Sequence, residues 1–161
     1  RARLTEYAAE KATATYHEGS VWTYAGNYDI ALPCATQNEI NGEAAKRLVA
    51  QGIICVSEGA NMPSDLDAIK VYKENGIFYG PAKAANAGGV AVSALEMSQN
   101  SLRLSWTREE VDGRLKDIMR NIFNTAKTTS ETYGLDKDYL AGANIAAFEN
   151  VANAMIAQGI V

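Results

Sequence analysis

The sequence has little of what several functional classes require. It contains one histidine, His17, which has no partner at metal-ligand spacing, so no metal site is predicted. No apolar run approaches the roughly 20 residues that span a bilayer, which argues against a membrane protein. No basic run is interleaved with aromatic residues, and the net charge is −4, which argues against a nucleic-acid partner.

Cysteine is also scarce. Cys34 and Cys55 are the two cysteines, and each lies in a predicted buried strand or at its end. Free, buried thiols are typical of cytosolic proteins, so we expect no disulfide and a cytoplasmic location. The 161 residues, 47% hydrophobic and 21% charged, predict one soluble globular domain.

The start of the chain lacks an initiator methionine and a signal-like apolar segment. A helical pattern begins almost at once, over Leu4–Ala14, and Thr15–His17 is a candidate short strand. We therefore expect the chain to be cut from a larger domain.

Three strand–loop–helix units are predicted between residues 29 and 104. The predicted strands are Asp29–Leu32, Ile53–Val56 and Ile77–Tyr79. The predicted helices are Gly42–Gln51 with Asn41 as N-cap, a helix from the N-cap Ser64 to about Gly76, and Gly89–Leu104 with Asn86 as N-cap. This alternation predicts an α/β fold with parallel strands and right-handed crossover helices.

Two long helices are predicted after this region. Thr107 and Glu110 form a capping box for a helix over Arg108–Tyr133. A last helix is predicted over Asp138–Gln158, with its apolar side facing inward. The apolar positions expected to be buried are Val111, Leu115, Ile118, Ile122 and Phe123 on the first helix, and Leu140, Phe148, Val151 and Met155 on the second.

Candidate site residues follow the predicted strands. Ala35, Asn61 and Asn86 each lie just beyond a strand's carboxyl end, where open parallel sheets bind ligands. Asn86, Val90 and Ser93 share one helical face beside Gly88 and Gly89, which suits a small molecule with an apolar stem and an anionic end. Alternatively, Asn86 only caps the helix, Ser93 bonds to the Gly89 carbonyl, and the glycines only allow close packing.

Three blocks of sequence are distinctive: A-L-P-C-A-T-Q-N-E at residues 31–39, E-G-A-N-M-P at residues 58–63 and P-A-K-A-A-N-A-G-G-V-A-V-S at residues 81–93. Together they resemble the glutamate dehydrogenase family. The blocks occur in the family's order and are most similar to bacterial and fungal NADP-type sequences. The resemblance covers essentially the whole chain and corresponds to the C-terminal part of the family's sequence.

The resemblance implies a partial Rossmann-like sheet followed by a C-terminal helical segment. Residues 1–105 would be the C-terminal part of the dinucleotide-binding domain, and residues 106–161 would be helices that pack on it. The implied reaction is the reversible oxidative deamination of L-glutamate to 2-oxoglutarate and ammonia, with hydride transfer to a nicotinamide. NADP is favoured, NAD is possible, and the full-length protein would be a homohexamer.

The resemblance also implies roles for individual residues. Ser93 would donate to the substrate's side-chain carboxylate, and Val90 would pack on its methylene groups. Asn61 and Asn86 match positions near the nicotinamide and its ribose, and Ala35 matches a backbone contact to the cofactor.

The resemblance places the family's catalytic Lys and Asp in the substrate domain, which this chain does not contain. No catalytic residue is therefore assigned here. The G-x-G-x-x-G turn that holds a pyrophosphate is also absent from the sequence. We expect the chain alone to be inactive and to bind dinucleotide weakly.

Three alternatives stay open. The chain is part of a related amino-acid dehydrogenase with another substrate, a non-catalytic nucleotide-binding α/β module, or a structural assembly domain. Leucine, phenylalanine and valine dehydrogenases share the A-G-G-V block but lack the Ser three residues beyond its Val. Ser93 therefore favours a dicarboxylic substrate.

Overall fold

A computed structural model describes residues 3–159 and contains one parallel sheet of three strands in the order β1-β2-β3. The strands are β1 (Ile30–Ala31), β2 (Cys55–Ser57) and β3 (Phe78–Gly80). The helices are α1 (Leu4–Glu10), α2 (Gly42–Ala50), α3 (Leu66–Glu74), α4 (Ala82–Ala85), α5 (Ala87–Leu102), α6 (Arg108–Thr132) and α7 (Tyr139–Gln158). The predicted α/β class with parallel strands is confirmed.

The strands differ from the prediction in length and position. β2 begins at Cys55 rather than Ile53, because the Ile53 N–H bonds back to the carbonyl of Leu48 at the end of α2. β2 and β3 each continue one residue further than predicted. Residues 15–17 form no strand, and α1 ends at Glu10, four residues before the predicted end.

One face of the sheet is fully packed. Ala31, Val56 and Tyr79 are aligned in register across the three strands, and all are buried. Helices α2 and α3 cover them with Leu48 and Tyr72, together with small residues that allow close helix–sheet approach. This packing fixes the directions of the three strands and therefore the positions of the loops at their carboxyl ends.

Helix caps confirm some predictions and correct others. The Asn41 side chain accepts a 2.9 Å hydrogen bond from the Ala44 N–H, and Thr107 forms the predicted capping box with Glu110. Ser64 is wrong as the cap of α3. Asp65 takes that position and accepts from the Ala68 N–H at 2.7 Å, while Ser64 is buried, with its hydroxyl 3.3 Å from the Tyr72 hydroxyl.

The C-terminal helices α6 and α7 pack along each other. Gly142 of α7 lies so close to the Ala126 carbonyl of α6 that a side chain there would collide with it. The stripe predicted on α6 is half-buried apart from Phe123, which is 50% exposed. Among residues 3–159, no helix is both long enough and apolar enough to cross a bilayer.

The inward side predicted for α7 is wrong over its second half. Leu140 packs against the core, but Phe148, Val151 and Met155 are 71%, 60% and 66% exposed. These three residues recur at helical spacing as predicted, but their side chains face solvent, while Glu149 in the same part of the helix accepts a 2.6 Å hydrogen bond from the Tyr133 hydroxyl.

Candidate functional site

An open cleft of about 490 Å³ lies where the loops after β1 and β2 meet the start of α5. All five predicted site residues line it: Ala35, Asn61, Asn86, Val90 and Ser93. The loops at residues 34–37 and 59–61 form one wall, and the exposed face of α5 forms the other. The structure therefore brings the predicted residues together at the carboxyl ends of the strands, as expected.

Asn86 lies at the junction of α4 and α5. It occupies the predicted N-cap position of α5, but its backbone is helical, with φ −88° and ψ −3°, and its side chain makes no cap hydrogen bond. Instead its Nδ2 donates to the Asn61 Oδ1 at 2.7 Å and to the Ala60 carbonyl at 3.3 Å. The two amides hold the loop after β2 against the helix start.

The face of α5 is accessible. Val90 is 74% exposed, and the exposed Ser93 hydroxyl donates a 3.3 Å hydrogen bond to the Gly89 carbonyl. A Cβ at Gly88 would come within 3.2 Å of the Met119 Sδ, whereas Gly89 has open space around it. Gly88 thus serves packing on α6, and Gly89 leaves the cleft side unobstructed.

Glu39 shapes the loop after β1. Its Oε1 accepts from the N–H of Ala35 at 2.9 Å and of Thr36 at 3.2 Å, and its Oε2 accepts from the Trp22 Nε1 at 2.8 Å. Because the Ala35 N–H is already used, the backbone group that Ala35 can offer a ligand is its carbonyl. Sequence reasoning missed this residue, and the only local signal is an acidic side chain ending the loop.

Glu58 is a second missed residue. Its carboxylate is 2% exposed and accepts from the Tyr79 hydroxyl at 2.8 Å, the Ala82 N–H at 3.0 Å and the Ser64 N–H at 3.2 Å. Burial, with the bond to Glu58, raises the pKa of Tyr79. Burial also raises the pKa of Tyr72 to about 12.

The two cysteines are both free. Cys55 is half-buried, and that burial raises the pKa of its thiol. The prediction that Cys34 is buried is wrong, because β1 ends at Ala31 and Cys34 lies in the loop beyond it, on the cleft wall. Across residues 3–159, no group of three or more His, Cys, Asp or Glu side chains could hold a metal ion.

A separate apolar cavity of about 400 Å³ lies beneath β3, against α4, α6 and α7. Phe78, Met119, Ile122 and Tyr139 are among its lining residues. It contains none of the predicted site residues, and its lining offers few polar groups that could orient a ligand.

A family model described as Glutamate/Leucine/Phenylalanine/Valine dehydrogenase matches residues 1–159. The chain belongs to this family. That assignment confirms the resemblance seen in the three sequence blocks, and it covers the cleft and the helices that follow it.

Individual relatives agree with the assignment. The chain is 53% identical to the NADP-specific glutamate dehydrogenase of Giardia intestinalis and 54% identical to the glutamate dehydrogenase of Bacteroides thetaiotaomicron, in each case over 100% of this chain and 36% of the relative. The crystal structure of Plasmodium falciparum glutamate dehydrogenase matches with a TM-score of 0.94 and 49% identity, over 99% of this chain and 34% of that one. The chain therefore spans about a third of the length of these relatives.

Proposed function

We propose that this chain is the cofactor-facing part of a glutamate dehydrogenase. The enzyme reversibly converts L-glutamate to 2-oxoglutarate and ammonia and transfers a hydride to NADP. One observation supports this most: the five residues implicated by the sequence blocks line a single cleft in a chain about half identical to glutamate dehydrogenases. Below, "full-length enzyme" means the longer polypeptide that includes this chain.

The proposed roles are those that the family resemblance implies, and the positions of the side chains are compatible with them. Ser93 donates its exposed hydroxyl to the substrate's side-chain carboxylate, giving up its long bond to Gly89. Val90, one helical turn earlier, covers the methylene groups of the substrate. Asn61 and Asn86 bind the nicotinamide and its ribose, and Ala35 contributes its carbonyl to the cofactor.

The remaining chemistry belongs to the other part of the full-length enzyme. A substrate domain supplies the catalytic Lys and Asp, and an earlier segment supplies the glycine-rich pyrophosphate turn. Residues 1–105 form the C-terminal part of the dinucleotide-binding domain, and residues 106–161 form helices that pack on it. This division explains why the chain alone is expected to be inactive.

The proposal includes NADP as cofactor, a homohexamer and a cytoplasmic location. The relative from Giardia is named as NADP-specific, which favours NADP, while NAD remains the second choice. Two free cysteines fit a reducing compartment. The family model also includes leucine, phenylalanine and valine dehydrogenases, so a related substrate is the second candidate, and the hydroxyl of Ser93 argues for glutamate.

A steady-state assay of the full-length enzyme tests the proposal. NADPH oxidation should require 2-oxoglutarate and ammonia together, and L-glutamate should be preferred over L-leucine and L-norvaline in the reverse direction. Preference for leucine would move the protein to the second candidate. Turnover by the 161-residue chain alone would contradict the division of chemistry proposed above.

A further inference from the structure

A buried carboxylate, that of Glu58, directly precedes residues 59–61 of the cleft wall in the chain. Glu58 follows β2, and its backbone N–H continues the sheet by bonding to the Gly80 carbonyl at 3.0 Å. Its side chain is almost fully buried, so its contacts are made without competing water. An acidic group in such a place is costly unless donors surround it.

The donors to Glu58 come from three different segments. Oε2 accepts from the Tyr79 hydroxyl in β3 and from the Ala82 N–H at the start of α4. Oε1 accepts from the Ser64 N–H ahead of α3. One carboxylate thus joins the loop after β2 to the beginnings of two helices.

These segments carry the two asparagines of the cleft. Asn61 lies between Glu58 and Ser64, and Asn86 directly follows α4. The 2.7 Å bond between the two amides therefore joins two backbone segments that both donate hydrogen bonds to Glu58. Moving either segment by an ångström would break that bond, because hydrogen bonds weaken steeply with distance and angle.

We propose that Glu58 is a positioning residue that sets the spacing of Asn61 and Asn86 for the nicotinamide end of the cofactor. The inference rests on the proposed function and deepens it. Glu58 takes no part in proton transfer, since it is enclosed by its three donors and does not line the cleft. Its role is to hold Asn61 and Asn86, which face the cofactor. It makes no hydrogen bond to Val90 or Ser93, which face the substrate.

The test compares two variants of the full-length enzyme. In Glu58→Gln, an NH₂ group replaces one of the two carboxylate oxygens, so at least one of the three donors loses its acceptor and faces another donor. The matched control is Val56→Ala, two residues earlier in β2, which removes buried volume from the same face of the sheet but makes no side-chain hydrogen bond to the loops. Thermal unfolding measures how much each variant loses in stability.

The kinetic readout separates positioning from simple destabilisation. Glu58→Gln should raise the KM for NADPH by about tenfold or more, since hydrogen bonds to a charged group are lost. The KM for 2-oxoglutarate should stay within about twofold, because α5 makes no hydrogen bond to Glu58. Val56→Ala should leave both constants unchanged. Equal KM values for NADPH in the two variants would overturn the proposal.

Two further measurements keep the test decisive. If Glu58→Gln does not fold, Tyr79→Phe removes one donor and should still raise the KM for NADPH, and an unchanged KM then rejects the inference. If the wild-type enzyme shows no NADPH-dependent turnover, the proposed function fails instead. Hydrogen exchange then decides on Glu58: residues 59–62 and 82–86 should exchange faster in Glu58→Gln than in Val56→Ala, and equal rates reject the role.

Discussion

The side-chain amide of Asn86 donates a 2.7 Å hydrogen bond to the side-chain oxygen of Asn61, across 25 residues of sequence. The bond joins the loop after β2 to the start of α5 at the rim of the cleft. It also fixes how both amides are turned, so a ligand meets the Asn61 nitrogen and the Asn86 oxygen in a set arrangement.

The Asn61–Asn86 pair should behave as one unit. Asn61→Ala and Asn86→Ala should each weaken NADPH binding to the full-length enzyme, and the double variant should lose less than the sum. We expect a coupling of about 0.5–1.5 kcal/mol, the usual net value of one hydrogen bond. Quenching titrations of NADPH fluorescence measure it. Strictly additive losses would show that the two residues act separately.

Ser93 should control substrate selectivity. Removing its hydroxyl in Ser93→Ala should lower kcat/KM for L-glutamate by about 10–150-fold, because a carboxylate loses a hydrogen bond worth roughly 1.5–3 kcal/mol. The kcat/KM for L-norvaline, which has no side-chain carboxylate, should change little. Ser98→Ala is a matched control, since Ser98 bonds to its own helix in the same way but lies outside the cleft. Unchanged discrimination between glutamate and norvaline would argue against the role.

Glu39 should stabilise the loop that presents Ala35. Glu39→Gln removes charge from a group that accepts three N–H bonds, so we expect a loss of about 1–3 kcal/mol in the free energy of unfolding. Urea unfolding of the full-length enzyme measures it. Glu43→Gln is the control, because Glu43 is exposed and bonds only to Lys46. Equal unfolding midpoints for the two variants would contradict the prediction.

Tyr72 should make stability depend on alkaline pH. Burial raises its pKa from 10.0 to about 12, so the folded state keeps the proton longer than the unfolded state does. Its contribution is complete below pH 10 and is lost as pH rises towards 12, at about 1.4 kcal/mol per pH unit.

Tyr72→Phe should remove that part of the pH dependence. Urea unfolding at pH 9 and pH 11 gives the difference between wild type and variant, which should shrink as pH rises. Tyr16→Phe is the control, because Tyr16 is 47% exposed. Parallel curves for wild type and Tyr72→Phe would show that the phenol does not titrate as described.

Most of the fold could be predicted from local signals in the sequence. Short apolar runs and turn residues predicted the parallel strands, and Asn41 and Thr107 cap helices through bonds to residues three positions away. The assignment of Ser64 failed, because the neighbouring Asp65 is an equally good cap and only tertiary burial decides between them. Helical periodicity also predicted a stripe on α7 but not whether a partner covers it.

In the candidate site, too, some residues could be predicted from local patterns, and others depend on tertiary packing. Ala35, Asn61 and Asn86 could be placed at one edge because parallel strands share their carboxyl end. Glu39 and Glu58 could not be found, since their bonds to Trp22 and Tyr79 span 17 and 21 residues. Such contacts depend on how separate units pack, and no local pattern in one sequence encodes them.

The β1 strand borders the described sheet and has no strand beyond it within residues 3–159. Ile30 and Leu32 on this border are 56% and 61% exposed. An open border with apolar side chains is a template for another strand. At high concentration, copies of this chain prepared alone would tend to associate through backbone hydrogen bonds at β1. Leu32→Lys would disfavour that association, because it places a charge at an exposed position and leaves the buried face of the sheet unchanged.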